Sequence, residues 1–234
     1  IQSNIVRKAF QKNTDILNSD LSKFARKDYP EIFKNIKKAV ADFLNVNTDE
    51  IILTRNATES LNIAIQGYPF QQNDEVIISQ LDYFSMIETF QMLEKRGNIK
   101  VKTIELPLVP HSEDEIIEVY KNNITAKTRV ILLTQVSNIN GLIIPVEKIA
   151  LFAKENGIDV ICDSAHALGH ITIQNKNMNA DFVGLNLHKW IGNPIGAGVL
   201  YVNKERIKEM NAFWGDVKAD HSDINKLAHF GTTS

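Results

Sequence analysis

Residues 129–163 read RVILLTQVSNINGLIIPVEKIALFAKENGIDVICD, and they decide the fold. Val130-Ile131-Leu132-Leu133 and Val160-Ile161-Cys162 are apolar at successive positions. That pattern fits strands buried on both faces, not half-buried strands that alternate. Between them, Val146 to Glu155 is amphipathic and long enough to cross back over a sheet. Strand, helix and strand in this order predict a layered α/β domain with a mostly parallel sheet.

The same rhythm extends outward. Strands are expected at Ile51 to Thr54, Glu75 to Ser79, Val101 to Glu105, Arg129 to Val136, Asp159 to Cys162, Phe182 to Leu185 and Gly198 to Val202. Helices are expected at Asn56 to Gln66, Phe84 to Lys95, Glu113 to Lys121, Val146 to Glu155 and Lys204 to Asn211. Ahead of them lie two amphipathic outer helices, one through Ile5 to Phe24 and one opening after Pro30, where Ile32, Phe33, Ile36, Ala39, Val40 and Phe43 recur at helical spacing.

The chain has 234 residues, 44% of them hydrophobic, enough for one large core. Its 26 basic and 28 acidic residues nearly balance, so no summed field points to nucleic acid or to an anionic membrane. A small-molecule partner is the expectation. The single cysteine, Cys162, sits in an apolar run and reads as core packing in a reducing compartment. With no apolar stretch of the roughly 20 residues a spanning helix needs, a cytoplasmic location is expected.

Ligands of such sheets bind beyond the carboxyl ends of the strands, so the residues after each apolar run hold the candidate chemistry. After Ile51 to Thr54, the run Arg55-Asn56-Ala57-Thr58-Glu59-Ser60 turns straight into a helix. Free N–H groups at a helix start favour an anion, and Thr58 adds a hydroxyl; a plain helix cap by Asn56 or Thr58 would leave the same residues. Neither a Gly-rich dinucleotide fingerprint nor a Walker lysine is present.

Val160 to Cys162 ends in Asp163-Ser164-Ala165-His166. A carboxylate at a strand tip suits a cationic ring nitrogen; turn chemistry or a metal pair are the alternatives, and no third ligand stands at metal spacing. Phe182 to Leu185 runs into Asn186-Leu187-His188-Lys189-Trp190 and a glycine-rich segment to Gly198. A partly desolvated amine there has a lowered pKa and suits Schiff-base chemistry, whereas a lone lysine after a strand is more often solvated. Helix start, strand-tip acid and later lysine occur in one order, and that order carries the argument.

On these motifs the chain resembles the class V aminotransferase family of fold-type I pyridoxal-phosphate (PLP) enzymes, which includes isopenicillin N epimerases, cysteine desulfurases and selenocysteine lyases. The resemblance runs from about Asp49 to Val202. It implies a three-layer α/β/α large domain over residues 49–211, an N-terminal helical segment over 1–48 packing on it, and a connection over 212–234 towards a C-terminal small domain expected to lie outside this chain.

It also implies site roles. Ala57 and Thr58 hold the cofactor phosphate, Asp163 pairs with the pyridine nitrogen, and Lys189 forms the Schiff base. His166 stands where many relatives have a glutamine near the ring hydroxyl. Asn186 and His188 match neighbours that reach the phosphate. Tyr83 falls where desulfurases stack a histidine on the ring, and Asn138 falls near the ring hydroxyl and the substrate. Thr232, in Phe230-Gly231-Thr232-Thr233, matches a turn that reaches the phosphate across a dimer interface, which implies a homodimer with shared sites.

Tyr83 in place of histidine, and Asn186-Leu187-His188-Lys189-Trp190 in place of the desulfurase Ser-x-His-Lys, set the chain nearer the epimerase branch. An epimerase or aminotransferase acting on an amino acid is therefore the first expectation. The C–S or C–Se lyase is second, and a non-catalytic PLP-fold binding protein is the alternative of another kind. Cys162, beside Asp163, is in the wrong place to serve as a desulfurase thiol.

Overall fold

In the computed structural model, residues 2–173, 179–214 and 220–228 are described. Helices α1 (Asn4–Ser19), α2 (Leu21–Lys23) and α3 (Tyr29–Leu44) precede a run of strands and helices. That run is β1 (Ile51–Thr54), α4 (Ala57–Gly67), β2 (Asp74–Ser79), α5 (Phe84–Lys95), β3 (Ile99–Ile104), α6 (Glu113–Asn123), β4 (Thr128–Thr134), α7 (Val146–Glu155), β5 (Asp159–Asp163), β6 (Phe182–Asn186), β7 (Gly198–Val202) and the short α8 (Lys204–Ile207).

The strands form one seven-stranded sheet in the order β1-β7-β6-β5-β4-β2-β3. Pairings from β3 through β6 are parallel, and only β7 runs against its neighbours β6 and β1.

Successive apolar residues have two destinations. Val130 and Leu132 of β4, Ile161 of β5 and Phe182 of β6 pack with Leu61, Ile65, Met86 and Phe90 of α4 and α5. Ile131, Leu133, Val160, Cys162 and Val183 point the other way, onto Ile116, Tyr120, Ile149 and Ala153 of α6 and α7 and onto Ala41 and Leu44 of α3. Each such side chain contributes roughly 1.5–3 kcal/mol by burial. The result is the expected three-layer α/β/α arrangement.

Several boundaries differ from the sequence expectation, each for an identifiable physical reason. The first helix does not run from Ile5 to Phe24: it stops at Ser19, because Asp20 turns to φ −156° and caps the next turn by accepting from the Lys23 N–H. A wider turn over Phe24–Asp28 then leads into α3. No residue of α1 is buried, so the N-terminal segment reaches the sheet through α3. Strand β4 ends at Thr134, not Val136, because the Gln135 N–H goes to the Asp163 carbonyl (2.9 Å) and Val136 bridges to Ile143. Helix α8 closes at Ile207, and the Asn211 N–H is drawn to the Gly67 carbonyl at 2.7 Å. Among the described residues no helix is long and apolar enough to cross a membrane.

The chain goes outward from β2 to β3 and then returns past β2 to β4. Such a reversal opens a crevice at the carboxyl ends of the two strands. The tips of β2 and β4 are tied there by the buried Asp82 carboxylate, which accepts from the Ser79 N–H (2.6 Å) and the Thr134 N–H (2.9 Å). Burial raises the Asp82 pKa to about 6, against the pull of those donors.

Candidate active site

Strands β1, β2, β4, β5 and β6 all run toward the same edge of the sheet. The topology therefore collects the start of α4 after β1, Tyr83 after β2, Asp163 at the tip of β5 and Lys189 after β6.

Helix α4 begins where Asn56 accepts from the Glu59 N–H (2.8 Å). Two glycines let it sit low on the sheet. A Cβ at Gly184 of β6 would lie 2.6 Å from Leu61 Cγ, and one at Gly198 of β7 would lie 2.6 Å from Asn56 Cα. At Gly198 the close neighbour is the backbone that starts α4. Gly198→Ala should accordingly cost about 1–3 kcal/mol and weaken PLP binding by lifting that helix start. Thermal melting and PLP titration of the full-length protein measure both, and unchanged melting and affinity would show that the contact does not position the helix.

The Asn186 side chain at the tip of β6 accepts from the Ala57 N–H at 2.9 Å. It thus fastens the helix start to the strand that leads to Lys189, and it occupies the Ala57 donor that the sequence assigned to phosphate. Thr58 keeps an N–H and a hydroxyl with no partner among the described residues. Dipole and first-turn donors together make this helix start suitable for an anion.

Asp163 is 4% exposed. Its Oδ1 accepts from the Ala165 N–H at 2.9 Å, and the other oxygen has no partner among the described residues. Burial pushes its pKa up, while the Ala165 N–H and the charge of Lys189 pull it down. Lys189 is half-buried; desolvation lowers its pKa, and the Asp163 charge offsets part of that. Its Nζ lies 2.9 Å from His166 Nε2. The His166 pKa is lowered by burial and then by the charges of Lys189 and His170.

The remaining expected residues are placed as follows. His188 turns its Nδ1 to the Ala197 carbonyl at 2.8 Å, which orients the ring within the Lys189 segment. Tyr83 donates its N–H to Thr134 Oγ1 (3.3 Å), and its ring centroid lies 4.7 Å from that of Phe84. Asn138 is exposed in a turn closed by the Gly141 N–H on the Ser137 carbonyl (2.9 Å). It shares with His166, His170 and Trp190 the wall of a cavity of about 540 Å³. Thr232 lies outside the described residues.

Sequence reasoning missed three contributors. Gln135, buried, accepts from Ser164 Oγ at 2.7 Å and steadies the turn after Asp163. Asp82 joins the two strand tips. His170 stacks on Trp190 with ring centroids 3.6 Å apart. Only spacing could have signalled the last, four residues beyond His166. Cys162 is buried and free, and its pKa is raised to about 12, chiefly by burial.

The donor set fits pyridoxal phosphate: a buried carboxylate with one oxygen unpaired, a half-buried amine with a lowered pKa, and a helix start with open donors. Fold and site together define the large domain of a fold-type I PLP enzyme. Residues 9–228 match the aminotransferase class-V family, and the chain belongs to it. Pyridoxal phosphate is that family's cofactor, and membership makes this the cofactor-binding part of a PLP-dependent enzyme.

A probable cysteine desulfurase of Pyrococcus abyssi is 34% identical over 191 residues, which cover 79% of this chain and 45% of the relative. One from Staphylococcus aureus is 32% identical over the same shares. The apo structure of a cysteine desulfurase from Thermococcus onnurineus NA1 superposes with a TM-score of 0.68 at 28% identity, over 75% of this chain and 44% of that one. A C-DES mutant with glycine covalently linked to its PLP cofactor shares the fold, with a TM-score of 0.85 at 20% identity over 92% of this chain and 57% of that one. The chain spans less than half the length of the curated relatives it matches. Those relatives bear the name of the reaction expected second from Tyr83 and from Asn186-Leu187-His188-Lys189-Trp190, and none of them bears that of the epimerase expected first.

Proposed function

We propose that the whole protein acts on an amino acid through Lys189, and that cleavage of a C–S bond in a cysteine-type substrate is its reaction. The observation that carries the first part is the grouping of Lys189 Nζ, His166 Nε2 at 2.9 Å and the buried Asp163 carboxylate at one sheet edge. The named relatives support the second part.

When bound, pyridoxal phosphate supplies a carbonyl for amines and a protonated ring that accepts electrons. The chain supplies the rest. The start of α4, through Thr58, holds the phosphate, helped by His188. The unpaired oxygen of Asp163 keeps the ring nitrogen protonated. Tyr83 would cover one face of the ring, and Asn138 and His166 would serve its hydroxyl. Lys189 would hold the cofactor through its amine, and that amine, once free, would serve as the base for the substrate α-proton.

A second reading is an epimerase or aminotransferase. It is favoured by Tyr83 in place of a stacking histidine and by Asn186 and Trp190 about Lys189. The α-proton is removed in all these reactions; the place of its return separates epimerisation from transamination, and loss of the β-substituent marks C–S cleavage.

Residues 1–48 serve as the N-terminal segment, 49–211 as the cofactor-binding domain, and 212–234 as the link onward. A second copy completes each site through Thr232. The free, buried Cys162 suits a reducing cytoplasm.

The test uses the purified full-length protein. A visible absorbance band that borohydride removes, with the label found by mass on Lys189, and sulfide released from L-cysteine in the presence of a thiol reductant, are expected. Retained labelling with inversion or transamination of an amino acid and no sulfide would replace C–S cleavage by the second reading. No label on Lys189 with PLP added would overturn the assignment.

A further inference from the structure

Trp190 directly follows Lys189, and its indole N–H points to His166 Nδ1 at 3.4 Å. The opposite nitrogen of that ring, Nε2, lies 2.9 Å from Lys189 Nζ. The indole is held in place: His170 stacks on it at 3.6 Å and 28°, and Gly169, at φ +88°, passes so close that a Cβ there would lie 3.0 Å from Trp190 Cβ.

Indole nitrogen is a donor only. A neutral imidazole has one donor and one acceptor nitrogen, so accepting at Nδ1 obliges the proton to sit on Nε2. That N–H then faces Lys189, and only an amine with a lone pair can accept it; an ammonium has none. If Lys189 were charged and donated to Nε2, the imidazole proton would move to Nδ1 and oppose the indole N–H.

We infer that Trp190 is a positioning residue: its N–H fixes the His166 tautomer, and through it favours the uncharged, nucleophilic form of Lys189. This rests on the reading of Lys189 as the cofactor's lysine.

Other groups about the amine set the background. Asp163, at the tip of β5, favours the charged form, and burial opposes it. His170 lies behind the indole and acts on His166, and His188 is turned to the Ala197 carbonyl. The relay therefore works with burial and against Asp163. Protonation of His166 makes Nδ1 a donor as well and breaks the relay, so acid should release the indole contact.

Trp190→Phe keeps a ring for His170 to stack on and removes only the N–H. The full-length apo-protein, labelled with ¹⁵N-histidine, should show His166 as the Nε2–H tautomer in wild type and as a mixture in the variant. At a fixed pH below the midpoint, the variant apo-protein should capture added pyridoxal phosphate at Lys189 about tenfold more slowly, with the pH midpoint of capture moved upward. Wild-type His166 as the Nδ1–H tautomer, or a tautomer ratio and capture profile unchanged in the variant, would overturn the relay. The wild-type tautomer needs neither cofactor nor variant, so it decides the relay even if Trp190→Phe fails to fold. Absence of capture at Lys189 in both proteins would instead overturn the reading of Lys189.

Discussion

Lys189→Ala should abolish turnover in the full-length protein, by about 10⁴-fold or more, because in the proposed mechanism one amine both carries the cofactor and moves the α-proton. The fold should survive. Lys189 lies beyond the end of β6 and is half-buried, and it is absent from both apolar clusters. Its folded-state pKa is depressed by burial. The unfolded chain therefore binds more protons in the window between the folded and unfolded values, and the charged amine is a burden to the folded state below that window. Removing it should leave the apo-protein's melting temperature at neutral pH unchanged or slightly raised. The checks are turnover, borohydride labelling followed by peptide mass, and thermal melting of apo-protein. Turnover within tenfold of wild type would sink the assignment.

Asp163→Asn gives the other large effect and separates binding from catalysis. The variant should still take up the cofactor, since the α4 start and Lys189 remain. Turnover should fall about 10²–10³-fold, because a neutral amide no longer holds the ring nitrogen protonated. The same substitution acts on Lys189 in the opposite sense. The Asp163 charge holds the lysine pKa up against burial, so without it the midpoint moves further down. The apo variant should then capture pyridoxal phosphate faster than wild type at neutral pH while turning over far less. Steady-state kinetics and stopped-flow absorbance report the two effects. Unchanged turnover would refute the ring-nitrogen role; slower capture would refute the electrostatic coupling.

Much of this was legible in the sequence because burial on both faces leaves a plain mark. Every expected strand is present, β1, β7 and helices α5 and α7 with the expected ends. Two of the errors fell where a distant group set the boundary. Val136 is as apolar as the residues of β4, but Gln135 bonds to the Asp163 carbonyl and the ladder ends. Asn211 fits a helix, but the Gly67 carbonyl takes its N–H. Asp20 breaks the first helix from within, a cap hidden in an amphipathic run.

The sequence by itself determined the layered fold, the family, and the order of helix start, strand-tip acid and lysine. Local apolar runs and the residues just after them carry that information, and parallel strands oblige those residues to share one edge. The tertiary structure alone decided how they meet. It gave the Ala57 N–H to Asn186, laid α4 against Gly184 and Gly198, and set the His166 ring between the Lys189 amine and the Trp190 indole. The hydrogen bonds among them join residues from 23 to 129 positions apart. Hydrogen-bond direction and close approach over such separations depend on where the backbone has been carried, and no local pattern of residue types records that.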